Sequence, residues 1–242
     1  MYKAILFDLD NTLLDYDFSE RDAMQRAVEH HRLPEIANFE WDSFRSVFAP
    51  INWTYWIERV QRNLTIGDVL YHSFRDTLEQ LGHDYRISST LAKTYWELFC
   101  ASCHPMEGAN ELLGKLHGRY RMGIISNGIG EAQRGRLKTG ALDHYFDHLF
   151  ISDEVGYYKP QREIFDTAVR TLGVDHTEVL FVGDSLQDDY HGAAGAGIDF
   201  CYYNPLAKRL DESFMPAYMI HSLSELIQMD VQNQWIKRVP LT

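Results

Sequence analysis

The stretch ILFDLDNTLLDYD, residues 5–17, decides the fold of this chain, because a short apolar strand ends there in two carboxylates. Residues 3–9 form a mainly apolar run without Gly or Pro, which predicts a buried β-strand. Asp8 lies near the end of this run, and Asp10 follows with only Leu9 between them. Two carboxylates about 4 Å apart repel each other by about 4 kcal/mol at an effective dielectric constant of about 20. We therefore expect a cation, a raised pKa or exposure to water to relieve this repulsion.

A helical block follows the first strand. Between residue 19 and about residue 99 the apolar residues recur at helical spacing. Ser19 with Asp22, and Thr65 with Asp68, have the spacing of a capping box, which predicts two helix starts. The entry to this block consists of Asp15, Tyr16 and Asp17. We expect at least one of these residues to cap a helix and the others to be hinge or pocket residues.

Short apolar runs alternate with helical segments from about residue 105 onward. Four runs are predicted strands, RMGIIS, HLFIS, VLFVGD and DFCYY, and YMIHSLSELI adds an edge strand and a helix. This alternation is typical of βαβ units. The chain is therefore predicted to be an α/β protein with a doubly wound, mainly parallel sheet and a helical cap inserted after the first strand. The predicted core domain is residues 1–15 with 105–242, and the cap is residues 16–104.

Composition limits the classes of partner. The 242 residues include 35 Asp and Glu against 23 Lys and Arg, a formal charge of −12, and no basic run is present. We therefore expect neither a nucleic-acid polymer nor a membrane as partner, whereas a small anionic metabolite is compatible because the local field outweighs the net charge. Three cysteines are too few for a disulfide framework, and no apolar stretch has the length of a membrane span. A cytoplasmic protein is predicted.

Polar residues close the predicted strands, and ligands of doubly wound sheets bind beyond the carboxyl ends of the strands. Any one of these residues is also a common turn former or helix cap. Together they supply what phosphoryl transfer needs: a carboxylate nucleophile, a second acid, a hydroxyl with free amides, a fixed cation and oxygen ligands for a hard metal ion such as Mg²⁺. The candidates are Asp8, Asp10, Ser126, Asn127, Gly128, Lys159, Asp184, Asp188 and Asp189.

Four segments, DLDNT, IISN, KP and GDSLQDD in this order, resemble the four motifs of the haloacid dehalogenase-like (HAD) hydrolase superfamily, over essentially the whole chain. The resemblance implies a phosphoaspartyl mechanism on a Rossmann-like core. Asp8 would attack phosphorus, and Asp10 would protonate the leaving oxygen and then activate water. Lys159 would offset the charge on Asp8 and on the phosphate. The phosphoryl oxygens would be bound by Ser126, Asn127 and Gly128.

The resemblance also implies a metal site. Mg²⁺, or Mn²⁺ in its place, would be held by Asp8, the main-chain carbonyl of Asp10 and Asp184. Asp189 would support this set, and the adjacent Asp188 is the second choice for that role.

Asp10 separates reactions within the superfamily. The carbon–halogen dehalogenases lack the second acid, because halide leaves without a proton, whereas an alkoxide needs a proton whose transfer is worth about 10²–10⁴ in rate. Asp10 therefore favours a phosphate ester over a haloacid. A mutase would also keep both acids. Hydrolysis is favoured over the mutase reaction only because hydrolases are frequent in the superfamily.

Three longer segments are similar to the pyrimidine 5′-nucleotidases with a helical cap: FDLDNTLLDYDFSERDA, SNGIGEAQRGRLKTGAL and YFDHLFISDEVGYYKPQREIF. The predicted substrates are pyrimidine (deoxy)nucleoside monophosphates. In the cap, Asn52, Trp56 and LTIGDV match positions of that group. Trp53 and Tyr55 are expected to form the core of the helical block, with stacking on a base as the alternative.

Other interpretations remain. The main one is a sugar-phosphate phosphatase, for example of the acylneuraminate 9-phosphate type, and more remote ones are a non-catalytic binding protein and a phospho-acceptor module. The glycine-rich GAAGAG at residues 192–197 lies within or after a predicted helix, so close helix packing is favoured over dinucleotide binding. The sequence predicts neither the oligomeric state nor a role for the tail with Trp235, Lys237 and Arg238.

Overall fold

The computed structural model describes residues 1–231. The C-terminal tail with Trp235, Lys237 and Arg238 lies outside the described residues. The chain forms two compact units. One comprises Met1–Phe18 and the chain from Cys103 onward, and the other comprises Ser19–Ser102.

One parallel sheet organises the first unit. In the described part of the chain it has six strands: β1 (Ala4–Phe7), β2 (Arg121–Ser126), β3 (His148–Ile151), β4 (Val179–Gly183), β5 (Asp199–Tyr203) and β6 (Tyr218–Ile220). Their order is β3-β2-β1-β4-β5-β6, and every neighbouring pair is parallel. β1 lies in the interior of the sheet, with Phe7 opposite Ile124 of β2 and Val182 of β4. The predicted doubly wound α/β sheet is confirmed.

The second unit is helical. Its helices are α1 (Tyr16–His30, which begins in the first unit), α2 (Trp41–Glu58), α3 (Ile66–Gln80) and α4 (Ser88–Cys100). Thr65 caps α3 as predicted, because its Oγ1 accepts a hydrogen bond from the main-chain N–H of Asp68 at 3.2 Å. In return, Asp68 Oδ2 accepts from the main-chain N–H of Thr65 at 2.9 Å, which completes the capping box.

The predicted capping box of Ser19 with Asp22 is wrong. α1 begins at Tyr16, and Ser19 is fully buried inside it. Asp15 caps the helix instead: its Oδ1 accepts from the main-chain N–H of Phe18 at 2.8 Å. The expectation that a residue at the entry to the block caps a helix is therefore confirmed for Asp15.

Aromatic rings form the core of the helical unit, but not all of the expected ones take part. Phe48 of α2 packs on Phe74 of α3 with ring centroids 4.7 Å apart, and Phe44 is fully buried beside them. Trp53 is 62% exposed, so its prediction as a core residue is wrong. Trp53 follows Phe44 by nine residues, about two and a half helical turns, and this places it on the opposite side of α2.

Helices cover both faces of the sheet in the first unit: α5 (Ala109–Leu116), α6 (Gly130–Thr139), α7 (Ser152–Val155), α8 (Arg162–Leu172), α9 (His191–Ala196) and α10 (Leu223–Val231). Ile5 and Phe7 pack in one core with residues of α5, α6 and α10, whereas Ala4 and Leu6 pack in a second core with residues of α8 and α9. Alternate residues of a strand face opposite sides, so β1 contributes to both cores. Among residues 1–231, no helix is both long and apolar enough to cross a membrane.

Candidate active site

The carboxyl ends of three adjacent strands carry most of the predicted site residues. Asp8 follows β1, Ser126 is the last residue of β2, and Asp184 follows β4. The main-chain N–H of Asp8 donates to the carbonyl oxygen of Val182 at 2.8 Å, which extends the pairing of β1 with β4 beyond the strand. Asp8 is thereby fixed beyond the carboxyl ends of the strands, where ligands of this fold class bind.

Lys159 lies among the carboxylates, in the loop between α7 and α8. Its Nζ is 2.5 Å from Asp8 Oδ1 and 2.7 Å from Asp189 Oδ1, and all three side chains are buried. Asn127 holds the loop in place, since its Oδ1 accepts from the main-chain N–H of Lys159 at 2.7 Å and its Nδ2 donates to the Lys159 carbonyl at 2.9 Å. The side chain of Asn127, a predicted substrate ligand, therefore positions the lysine.

The ionisation of this group follows from its burial and charges. Burial raises the pKa of Asp8 well above its usual range; Lys159 opposes this shift, and the neighbouring Asp189 and Asp184 add to it. Burial alone would lower the pKa of Lys159, but the carboxylates of Asp189 and Asp8 outweigh that effect and raise it. Lys159 therefore stays charged and partly relieves the repulsion that the sequence predicts at Asp8.

Asp8, Asp184 and Asp189 form the one group of potential metal ligands found in the described residues, with one oxygen from each within 4.8 Å of the others. Burial, with the charge of Asp189, raises the pKa of Asp184 to about 6 although Lys159 opposes the shift. Mg²⁺ and Mn²⁺ bind carboxylate oxygens, and a divalent cation would neutralise this crowded set. The donor set thus fits a hard metal ion. Asp189 belongs to the group, and its neighbour Asp188 does not.

Asp10 has different partners. Its Oδ1 accepts from Arg136 Nη1 at 2.5 Å, and its Oδ2 accepts from Gln133 Nε2 at 2.6 Å. Gln133 Nε2 also donates to Ser126 Oγ at 2.8 Å. Both helical residues lie on α6, and Arg136 is fully buried. The two acids of the DLDNT segment are therefore each stabilised by a separate cation, Lys159 for Asp8 and Arg136 for Asp10.

Gly128 permits this arrangement. Its main-chain N–H donates to Ser126 Oγ at 3.2 Å. A Cβ at this position would lie 2.2 Å from Gln133 Nε2, well inside van der Waals contact, so a side chain here would displace the glutamine. Ser126 and Gly128 are thus brought together with Gln133 at the end of β2.

The sequence motifs alone indicate no role for Gln133 and Arg136. A signal was present: both follow the predicted SNG turn and lie on the same side of α6 as Ala132 and Leu137, which are buried. A charged residue on a buried helix face requires a partner. That partner, Asp10, is 126 residues away in sequence, and spacing alone does not identify it.

Comparison with known proteins adds independent evidence. Residues 2–197 match the family model for haloacid dehalogenase-like hydrolases. The pyrimidine 5′-nucleotidase YjjG of Escherichia coli (strain K12) is 31% identical over 226 residues, which cover 93% of this chain and 96% of that protein. The glyceraldehyde 3-phosphate phosphatase of Pyrococcus abyssi is also 31% identical, over 84% of this chain and 82% of that protein. The crystal structure of the HAD-hydrolase YfnB from Bacillus subtilis, bound to magnesium, superposes with a TM-score of 0.78 at 27% identity and covers 94% of this chain and 98% of that one.

Proposed function

Because this chain belongs to the haloacid dehalogenase-like hydrolase family, whose model matches residues 2–197, we propose that it is a metal-dependent phosphomonoester hydrolase that acts through a phosphoaspartate on Asp8. The predicted family and the prediction of an enzyme are confirmed by this match and by the relatives. The observation that carries the proposal is the position of Asp8, buried at the end of β1 and bonded to Lys159 beside Asp184 and Asp189.

In the first step, a carboxylate oxygen of Asp8 attacks phosphorus and the ester P–O bond breaks. Asp10 gives its proton to the departing oxygen, so that an alcohol leaves rather than an alkoxide. Lys159, which stays protonated, offsets the negative charge of Asp8 and of the phosphoryl group. Ser126 and the amide groups of the turn after it, at Asn127 and Gly128, bind phosphoryl oxygens.

In the second step, water attacks the phosphorus of the phosphoaspartate. Asp10, now ionised, takes one proton from the water, and the hydroxyl oxygen becomes part of the inorganic phosphate. Asp8 is released as a carboxylate, and Asp10 is again protonated for the next cycle. Both steps balance in protons and charge without any additional reactant.

Asp8 and Asp184 would hold Mg²⁺ or Mn²⁺, with Asp189 beside them and the Asp10 carbonyl as the further ligand that the family resemblance implies. When bound, the metal supplies positive charge that stabilises the phosphoryl oxygens. The buried carboxylates would bind the metal, and Lys159 contributes a positive charge of the protein itself beside Asp8.

The favoured substrates are pyrimidine nucleoside 5′-monophosphates. The named activity of YjjG and its coverage of nearly the whole chain support this choice. Sugar phosphates are the second candidate class, because a glyceraldehyde 3-phosphate phosphatase has the same identity over a shorter part of the chain. The helical unit carries Asn52 and Trp56, two of the positions at which the sequence resembles the pyrimidine 5′-nucleotidase group.

The test is phosphate release from a panel of nucleoside monophosphates and sugar phosphates, with Mg²⁺ and with EDTA, for the wild type and Asp8→Asn. We expect metal-dependent turnover, fastest with pyrimidine nucleotides and abolished by the substitution. Faster turnover of sugar phosphates would move the substrate to the second class and leave the mechanism intact. Absence of turnover by folded protein would overturn the proposed hydrolase activity.

A further inference from the structure

Arg136 is a charged residue with no exposed side-chain surface in the first unit. It is fully buried, whereas the side chain of its partner Asp10 is 28% exposed. A buried arginine is costly unless its charge is paired and its hydrogen bonds are made. Arg136 Nη1 makes two of these bonds, to Asp10 Oδ1 at 2.5 Å and to Gln133 Oε1 at 3.0 Å.

Arg136 also sets the direction of the Gln133 amide. A guanidinium group only donates hydrogen bonds, so it must face the amide oxygen of Gln133 and not the amide nitrogen. The nitrogen is therefore turned to the other side, where it donates to Asp10 Oδ2 at 2.6 Å and to Ser126 Oγ at 2.8 Å. One arginine and one glutamine thus fix both oxygens of the Asp10 carboxylate.

The local fold is built around this glutamine. Gln133 is 2% exposed, and the absence of a side chain at Gly128 gives it room, since a Cβ there would lie 2.2 Å from its amide nitrogen. Positions 133 and 136 are three residues apart on α6 and so project from one side of the helix. The orientation of Asp10 therefore depends on α6, whose Leu137 packs in the core with Ile5 and Phe7 of β1, and not only on the loop that carries Asp10.

We propose that Gln133 and Arg136 are positioning residues that hold the Asp10 carboxyl group for proton transfer, first to the leaving-group oxygen and then from water. The inference rests on the proposed phosphatase function. The proton of Asp10 goes to the ester oxygen as the bond to phosphorus breaks and returns from the attacking water. Neither Gln133 nor Arg136 gains or loses a proton.

This role predicts a dependence on the leaving group. An alcohol, whether the ribose 5′-oxygen of a nucleotide or a sugar oxygen, needs the proton of Asp10 to leave. The 4-nitrophenolate anion is weakly basic and leaves without it. A misplaced Asp10 should therefore slow the release of an alcohol and spare the release of 4-nitrophenolate. A general loss of structure would slow both.

The experiment measures leaving-group release in the first turnover by rapid quench, with enzyme in excess. It compares 4-nitrophenyl phosphate with the best alcohol ester of the substrate panel. For Gln133→Met, which is similar in size, we expect release of the alcohol to slow by about 10²-fold and release of 4-nitrophenolate to be unchanged. Arg136→Lys keeps the charge but not the geometry and should show the same selectivity. Arg134→Met on the same helix, which removes an exposed ion pair with Glu154, is the control and should change neither rate.

The positioning role is overturned if a folded Gln133→Met or Arg136→Lys slows the release of both leaving groups equally, or slows neither. Metal-dependent turnover by the wild type would still uphold the phosphatase function in that case. Absence of metal-dependent turnover by the wild type would instead overturn the proposed function, and this inference with it. The two failures are therefore distinguishable in the same experiment.

Discussion

Two glycines of α9 are expected to respond oppositely to the same substitution. Gly192 is buried, and a Cβ there would lie 2.3 Å from Cε2 of the fully buried Phe165 and 3.2 Å from Cα of Pro160. Overpacking of this kind costs about 1–3 kcal/mol. Replacing a helical glycine gains about 0.5–1 kcal/mol. The difference between these two contributions is about 0–2.5 kcal/mol, so Gly192→Ala should lower the free energy of unfolding by about 1 kcal/mol. Gly195 is exposed, has no atom within 4 Å of its Cβ position, and should gain the full helical term as Ala.

The assay is urea unfolding followed by circular dichroism in EDTA, so that metal binding does not contribute. Phosphate release should also fall for Gly192→Ala, because the added methyl group would lie 3.2 Å from Cα of Pro160, which directly follows Lys159. Gly195→Ala should keep the wild-type rate. Equal shifts of the two variants in either direction, or a stabilised Gly192→Ala, would refute the packing argument for this glycine-rich segment.

Three further outcomes are expected. Lys159→Met should reduce kcat by about 10²–10³-fold, because it removes a preorganised cation. It should also lower the unfolding free energy in EDTA by about 3–5 kcal/mol, because Asp8 and Asp189 lose their buried partner. A stability equal to that of the wild type would contradict this expectation. Mg²⁺ at 100 times its Kd should stabilise the wild type by about 2.7 kcal/mol and should not stabilise Asp184→Asn. The affinity of the wild type for Mg²⁺ should fall as the pH drops through about 6, because a protonated Asp184 binds no metal. A pH-independent affinity would count against this metal site. Asp230→Asn should cost about 1.5–3 kcal/mol in urea unfolding, because the buried carboxylate accepts from Tyr120 and pairs with Arg119; Glu97→Gln, at an exposed pair, is the control.

The sheet was predictable from the sequence because parallel strands buried on both faces give continuous apolar runs. VLFVG is such a run. Asp184 follows it directly, and an acid at the carboxyl end of a buried parallel strand predicts a ligand-binding position. Helix starts were less certain. Ser19 has the right spacing for a cap, but Asp15 occurs four residues earlier and takes the role, since both residue types cap equally well and only the path of the chain decides between them.

The site was predictable only in part, for a related reason. Residues that end strands converge by topology, which brought Asp8 together with Asp184. Gln133 and Arg136 act through side chains that reach across the fold from a helix, and helical periodicity shows which face is buried but not what that face meets. The choice between Asp188 and Asp189 likewise depended on the one turn of helix after β4, which turns Asp189 inward.

Direct detection of the phosphorylated residue tests the central claim. The reaction of the wild type with its best substrate and Mg²⁺ is quenched in acid within the first turnover, digested and analysed by mass spectrometry. We expect a phosphoryl group on the peptide that contains Asp8, lost on treatment with hydroxylamine and absent from Asp8→Asn. Turnover without an adduct on Asp8, or an adduct on another residue, would contradict the account.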